Sequence, residues 1–226
     1  MSSRRIKPSC RGTHRHLTIA TANDTLARHH NRKEISVHRI VITAMSLLLL
    51  SGCAFNAQTA RLAPSVDVQN SNEGHGVAVA VRVVDERSSK SLGRRGTAYG
   101  AAAEITAAQD VAVVIHDQLV TGLEKKGFHV VDYAADSDPR LTLEVRSLEY
   151  STSQGFWTGG VKIESALKVQ AAHGTASYER MYRSDKEERV VVVPTASTNE
   201  QWINGALSDV LNQLFDDIGL FRFLAE

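Results

Sequence analysis

The side chain in this sequence best placed to do chemistry is the thiol of Cys53, because Leu50-Ser51-Gly52-Cys53 closes an apolar run from Ile40 to Leu50. Arg39 precedes the run, and small Ser51 and Gly52 fill the positions before the cysteine, which is the charged, apolar, small-residue order of a signal peptide. A helix over the run would be about 16 Å long, roughly half of a ~30 Å hydrocarbon core, too short for a stable span. The order reads as a lipobox: cleavage before Cys53, a diacylglyceryl group on its sulfur and an acyl chain, such as palmitate, on its freed amine. Leu50, Ser51 and Gly52 form the cleavage motif and Cys53 is the lipid attachment residue.

The other reactive residue types lack productive spacing. Four histidines follow Cys53, at His75, His116, His129 and His173, without His-Glu-x-x-His or a comparable ligand pattern, so no metal is expected. His116 and Asp117 are neighbours on a helical pattern, where successive side chains point about 100° apart and do not face each other. No Ser lies in Gly-x-Ser-x-Gly and no cysteine other than Cys53 follows the cleavage motif, which removes the hydrolase arrangements legible in a sequence. Glu187-Glu188 and Asp216-Asp217 are adjacent pairs, the pattern of solvated faces rather than of an acid and a base across a cleft. Gly93, Gly96 and Gly100 surround Arg94-Arg95 but lack a following Gly-Lys-Ser/Thr, so residues 88–100 read as a loop and not a phosphate cradle. No catalytic residue is assigned, and the chain is read as a non-enzyme. Phe156 and Trp157, in a glycine-flanked turn, are candidates for contact with a partner or a headgroup layer; the alternative is that they fold back over the end of a sheet.

Charge supports the same compartment. Nine of the 26 Lys and Arg and two of the 25 Asp and Glu lie before Cys53, so the chain from Cys53 onward carries about −6 where the whole carries +1. That balance offers no footprint for nucleic acid. Cys10 is the other cysteine of the sequence and lies before the cleavage motif, so no disulfide framework or Cys-based zinc site is available to the domain. Residues 1–36 are basic and without apolar periodicity, and read as disordered or not translated. A start codon at Val37 would leave 37–52 as a compact signal peptide.

These residues must be held by one domain. Residues 53–76, rich in Asn, Gln, Ser and Thr, read as the lipidated cysteine and a flexible tether of about 26 Å reach. From 77 to 226 the patterning predicts strands over 77–84, 128–133, 140–150 with a bulge near Arg146-Ser147, 161–171 and 177–193. It predicts a helix over 110–126 with the stripe Val111, Ile115, Leu119 and Leu123, closed by Gly127 with Phe128 meeting Leu123 across a Schellman stop. A second helix follows a capping box at Ser197 and Glu200, buries Ile203, Leu207, Val210, Leu211, Leu214 and Ile218, and stops at Gly219 before an apolar tail. The expected class is α+β, an antiparallel-rich sheet with two main helices packed on one face.

From Cys53 to Glu226 the sequence resembles the YajG-type family of bacterial lipoproteins. The resemblance is carried by the lipobox, Val79 to Arg87 ending in Asp85-Glu86-Arg87, the helix ending Lys126-Gly127-Phe128, Leu141 to Tyr150, and Asn204-Gly205-Ala206-Leu207 through Phe223-Leu224. It implies a lipid-anchored envelope protein and supplies no catalytic residue. The expectation is an outer-membrane lipoprotein with its domain facing the periplasm, acting as an interaction or envelope-maintenance factor. A peptidoglycan-associated enzyme or an accessory subunit of an envelope complex is the alternative. No cofactor is expected beyond the diacylglycerol and N-acyl chain on Cys53; the expected partners are the membrane and an envelope protein.

Overall fold

The computed structural model describes residues 56–96, 102–154 and 159–226. In chain order these form β1 (Gln58–Ala60), β2 (Ala78–Asp85), β3 (Gly93–Arg95), β4 (Ala103–Ala107), α1 (Val111–Lys125), β5 (His129–Asp132), β6 (Arg140–Gln154), β7 (Gly159–His173), β8 (Ala176–Val190), α2 (Ala196–Phe215) and α3 (Ile218–Ala225).

The long strands β6, β7 and β8 form an antiparallel meander, and β6 carries a register shift between Val145 and Ser147 where the bulge was expected. The side-chain phase change, Leu143 and Val145 then Leu148 and Tyr150, keeps apolar groups inward on both sides of the bulge. The opposite edge of β6 is shared by two strands. Strand β2 pairs parallel with Arg140 to Val145, and β3 pairs parallel at Tyr150. Beyond β2 lies β5, parallel; beyond β3 lie β4, antiparallel, and then β1, parallel to β4.

The sheet is therefore mixed, and the antiparallel-rich expectation is corrected: four of the seven strand pairings among the described residues are parallel. The reason is the crossover. Between β2 and β5 the chain runs through β3, β4 and α1, and this long crossover returns it beside β2 in the same direction. The class remains α+β, with three helices rather than two.

Helix α1 begins as its sequence dictates. Asp110 accepts from the backbone N–H of Ala112 at 2.8 Å, and Val111, Ile115, Leu119 and Leu123 are buried. It stops at Gly127, whose φ of 87° only glycine adopts without strain. There the Phe128 N–H donates to Leu123 O and the Gly127 N–H to Glu124 O, both at 3.0 Å, the two bonds of a Schellman stop.

The C-terminal helix pair departs from expectation at both ends. Thr195, not Ser197, caps α2 by accepting from the Thr198 N–H. Phe215 ends it, and Asp217 starts the separate helix α3 by accepting from Gly219 and Leu220 N–H. Ile218, placed on the buried stripe by periodicity, is instead 65% exposed because the helix has already broken before it. The stripe from Ile203 to Leu214 is buried as expected. Buried side chains of all three helices and the sheet form one hydrophobic cluster. A methyl group at Gly122 of α1 would collide with the Phe215 ring of α2, so this glycine sets how closely the helices approach.

Candidate functional site

Cys53, with Leu50, Ser51 and Gly52 before it, and the aromatic pair Phe156 and Trp157 all lie outside the described residues. From residue 56 onward the chain is described, and there it packs on the domain rather than forming the expected tether. Gln58 to Ala60 form an edge strand, and residues 61–68 then run extended along α2.

That docking rests on a ladder with a simple metric. The backbone N–H groups of Arg61, Ala63, Ser65 and Asp67 donate to the side chains of Glu200 (2.8 Å), Asn204 (2.7 Å), Ser208 (2.9 Å) and Asn212 (3.0 Å). Two residues of extended chain advance about 6.6 Å and four residues of helix about 6.0 Å, so every second amide meets every fourth helical side chain. Asn204 also donates to Arg61 O at 2.9 Å, and Gln109 takes the Leu62 N–H at 2.9 Å. The alternate residues Leu62 and Val68 turn inward and are buried. Glu200, expected to complete a capping box, is committed to this ladder instead.

The start of the segment is pinned. Gln58 donates to Ala196 O at 2.7 Å and accepts from Asn199 at 3.0 Å, while the Tyr150 hydroxyl donates to Asn199 Oδ1 at 2.9 Å. Asn199 is fully buried, and burial, opposed by the charge of Arg95, pushes the Tyr150 phenol up to about 12. These groups satisfy one another. In amide exchange, the protons of Arg61, Ala63, Ser65 and Asp67 are expected to be protected well above random-coil rates, with Asn204→Ala accelerating those of Ala63 and its neighbours; random-coil exchange throughout would restore the tether.

A second polar cluster surrounds Asp217. Its carboxylate accepts from Tyr182 (2.5 Å), Tyr178 (2.7 Å) and Arg180 (3.0 Å), and its other oxygen caps α3. Burial alone would raise its pKa, but the hydrogen bonds from Tyr182 and Tyr178, the Leu220 N–H and the Arg180 charge bring it below the usual value. Every acceptor position is used in packing.

The third lies where β2 leaves the edge of β6 and β3 joins it. Asp85 holds the buried Arg87 guanidinium through two bonds of 2.8 and 2.9 Å and pairs with Lys90 at 2.9 Å. Burial opposes ionisation, but the bonds to Arg87 and Lys90 prevail and hold Asp85 down to about 2. Beside this pair opens a cleft of about 530 Å³ lined by Arg87, Ser91, Arg94, Glu104, Arg146 and Glu149. Charges of both signs alternate around it. Gly93 lets β3 approach here, since a side chain at its φ of 132° would run into the Tyr150 carbonyl. A carboxylate with a depressed pKa stabilises the fold fully above its unfolded value and loses that contribution as pH falls through the folded one. Asp85 is therefore expected to make acid destabilisation steep between about pH 4 and pH 2, and Asp85→Asn to flatten it in denaturant melts taken across that range.

The histidines are dispersed. His75 lies in a turn at φ 48°, and His173 Nδ1 sits 3.3 Å from Phe223 O. His116 Nδ1 is 3.8 Å from Asp117 with both side chains exposed, and His129 lies on β5. Among the described residues no group of three His, Cys, Asp or Glu could hold a metal ion, and no helix is long and apolar enough to cross a membrane.

The model of a family described as uncharacterized lipoprotein matches residues 64–225. The chain belongs to this lipoprotein family. The match begins inside the docked segment, after the rungs at Arg61 and Ala63, and runs through all three helices of the described chain. No curated protein matches the sequence. Among solved structures, the chain is similar to a DUF330 protein from Xanthomonas campestris at 18% identity, covering 70% of this chain and 93% of that one with a TM-score of 0.46. A neuraminyllactose-binding hemagglutinin homolog from Helicobacter pylori matches at 11% identity over 71% and 96% of the two chains, with a TM-score of 0.43. Lipoprotein GNA1162 from Neisseria meningitidis matches at 11% identity over 62% and 97%, with a TM-score of 0.30.

Proposed function

We propose that this lipoprotein is anchored by lipid on Cys53 at the outer membrane, with its domain facing the periplasm as a non-enzymatic interaction or envelope-maintenance factor. The observation that carries this reading is the signal-like order ending at Cys53, followed after five residues by the first residue of the folded domain. A role in binding rather than catalysis is supported by the use of the buried polar groups: Tyr150 and Asn199 bond each other, and Asp217 bonds Tyr178, Tyr182 and the N–H groups that start α3. Through these bonds they hold elements of the fold together.

Ala54 supports the outer membrane, because an Asp directly after the lipidated cysteine is the usual signal for inner-membrane retention and Ala54 is not one. The wild type is expected with outer-membrane markers in a density gradient, and Ala54→Asp is expected to move it inward. Wild type found with inner-membrane markers would refute the localisation. Crosslinking in intact cells followed by capture of the protein tests the role: a stable envelope partner supports the interaction reading, and turnover of peptidoglycan by the purified protein would replace it with the enzymatic one.

A further inference from the structure

The β8–α2 loop carries Val191, Val192 and Val193 at 85%, 78% and 44% exposure. Three consecutive apolar side chains in water are unusual for a loop and mark a contact surface. Among the described residues the other large exposed apolar side chains, such as Val113, Met181 and Ile218, are single along the sequence. From Val190 to Asn199 there is no charged residue, and Thr195, Ser197 and Thr198 follow the valines. Such a stretch enters a headgroup layer without desolvating a charge.

The course of the N-terminal segment places this loop. Residues 61–67 run parallel to α2, so the chain traced backward passes toward the helix N-terminus, where Gln58 bonds Ala196 O. Val193 lies three residues before Ala196, within about 11 Å along the chain. Cys53 lies five residues before Gln58, at most about 18 Å away however the link runs. Both Cys53 and the three valines are thus tied by short stretches of chain to the start of α2, where Gln58 bonds Ala196 O.

We infer that Val191, Val192 and Val193 form the tip by which the domain rests on the lipid surface that holds Cys53. This rests on lipidation of Cys53 and adds an orientation: the N-terminus of α2 faces the bilayer. The acyl chains supply attachment, and the tip limits rotation about the short link.

The test uses the mature lipidated protein in vesicles of phosphatidylethanolamine and phosphatidylglycerol, with a nitroxide on V192C or on I218C. Ile218 follows the C-terminal end of α2, about 30 Å from its start. The V192C label is expected to collide several-fold more with oxygen, relative to a water-soluble nickel chelate, than the I218C label does. Equal chelate access at both sites, in protein that floats with the vesicles, would overturn the tip and leave the anchor standing. Shielding of V192C from oxygen and chelate alike would overturn it in favour of a protein partner or a second copy. Protein that does not float would remove the anchor and the tip together.

Discussion

Cys53→Ser is expected to abolish membrane attachment outright. In the proposed reading the sulfur is the lipid acceptor, and a serine hydroxyl does not replace it, so the precursor should stay unlipidated and uncut at this site. Lipidation contributes about 0.8 kcal/mol per buried CH₂, and several chains together hold a protein where one alone holds it marginally. High salt should accordingly fail to release the wild type. Metabolic labelling with a palmitate analogue, followed by fractionation, reads both effects. Unchanged labelling and normal membrane recovery of the variant would defeat the assignment of Cys53.

The second large effect lies in the core. Leu143 on β6 and Leu207 on α2 are fully buried, so Leu143→Ala and Leu207→Ala should each cost roughly 2–5 kcal/mol of stability. Lys168 on β7 pairs with Glu179 on the opposite face, and Lys168→Ala should change stability by less than about 1 kcal/mol. Denaturant melts separate the two outcomes. Equal shifts for all three variants would mean that the faces of the sheet are misassigned.

Helix α1 was legible from its stripe and its Gly127 stop because both are local signals, and the bulge in β6 was legible because a change of apolar phase has to be accommodated somewhere. The direction of strand pairing was not local. Strand β2 meets β6 across more than 50 residues of chain, and the parallel arrangement follows from the crossover through α1 rather than from the pattern of either strand. Short β1, β3 and β4, of three to five residues, are too brief for alternation to show. The docked segment did leave a trace: Leu62, Pro64, Val66 and Val68 alternate, and Glu200, Asn204, Ser208 and Asn212 recur every fourth residue. Either pattern alone reads as the solvated side of a helix or a loop, and only their commensurate spacing reveals that they pair. Asp217 was masked by its neighbour Asp216, since adjacent carboxylates look like a solvated face until a helix break turns one of them inward.

The most direct test of the central claim is the intact mass of the N-terminal peptide of the protein recovered from the membrane fraction. The expected result is a peptide that begins at Cys53 and carries a thioether-linked diacylglyceryl group with an acyl chain on its amine. An unmodified Cys53 within a chain still continuous with Gly52 would contradict it.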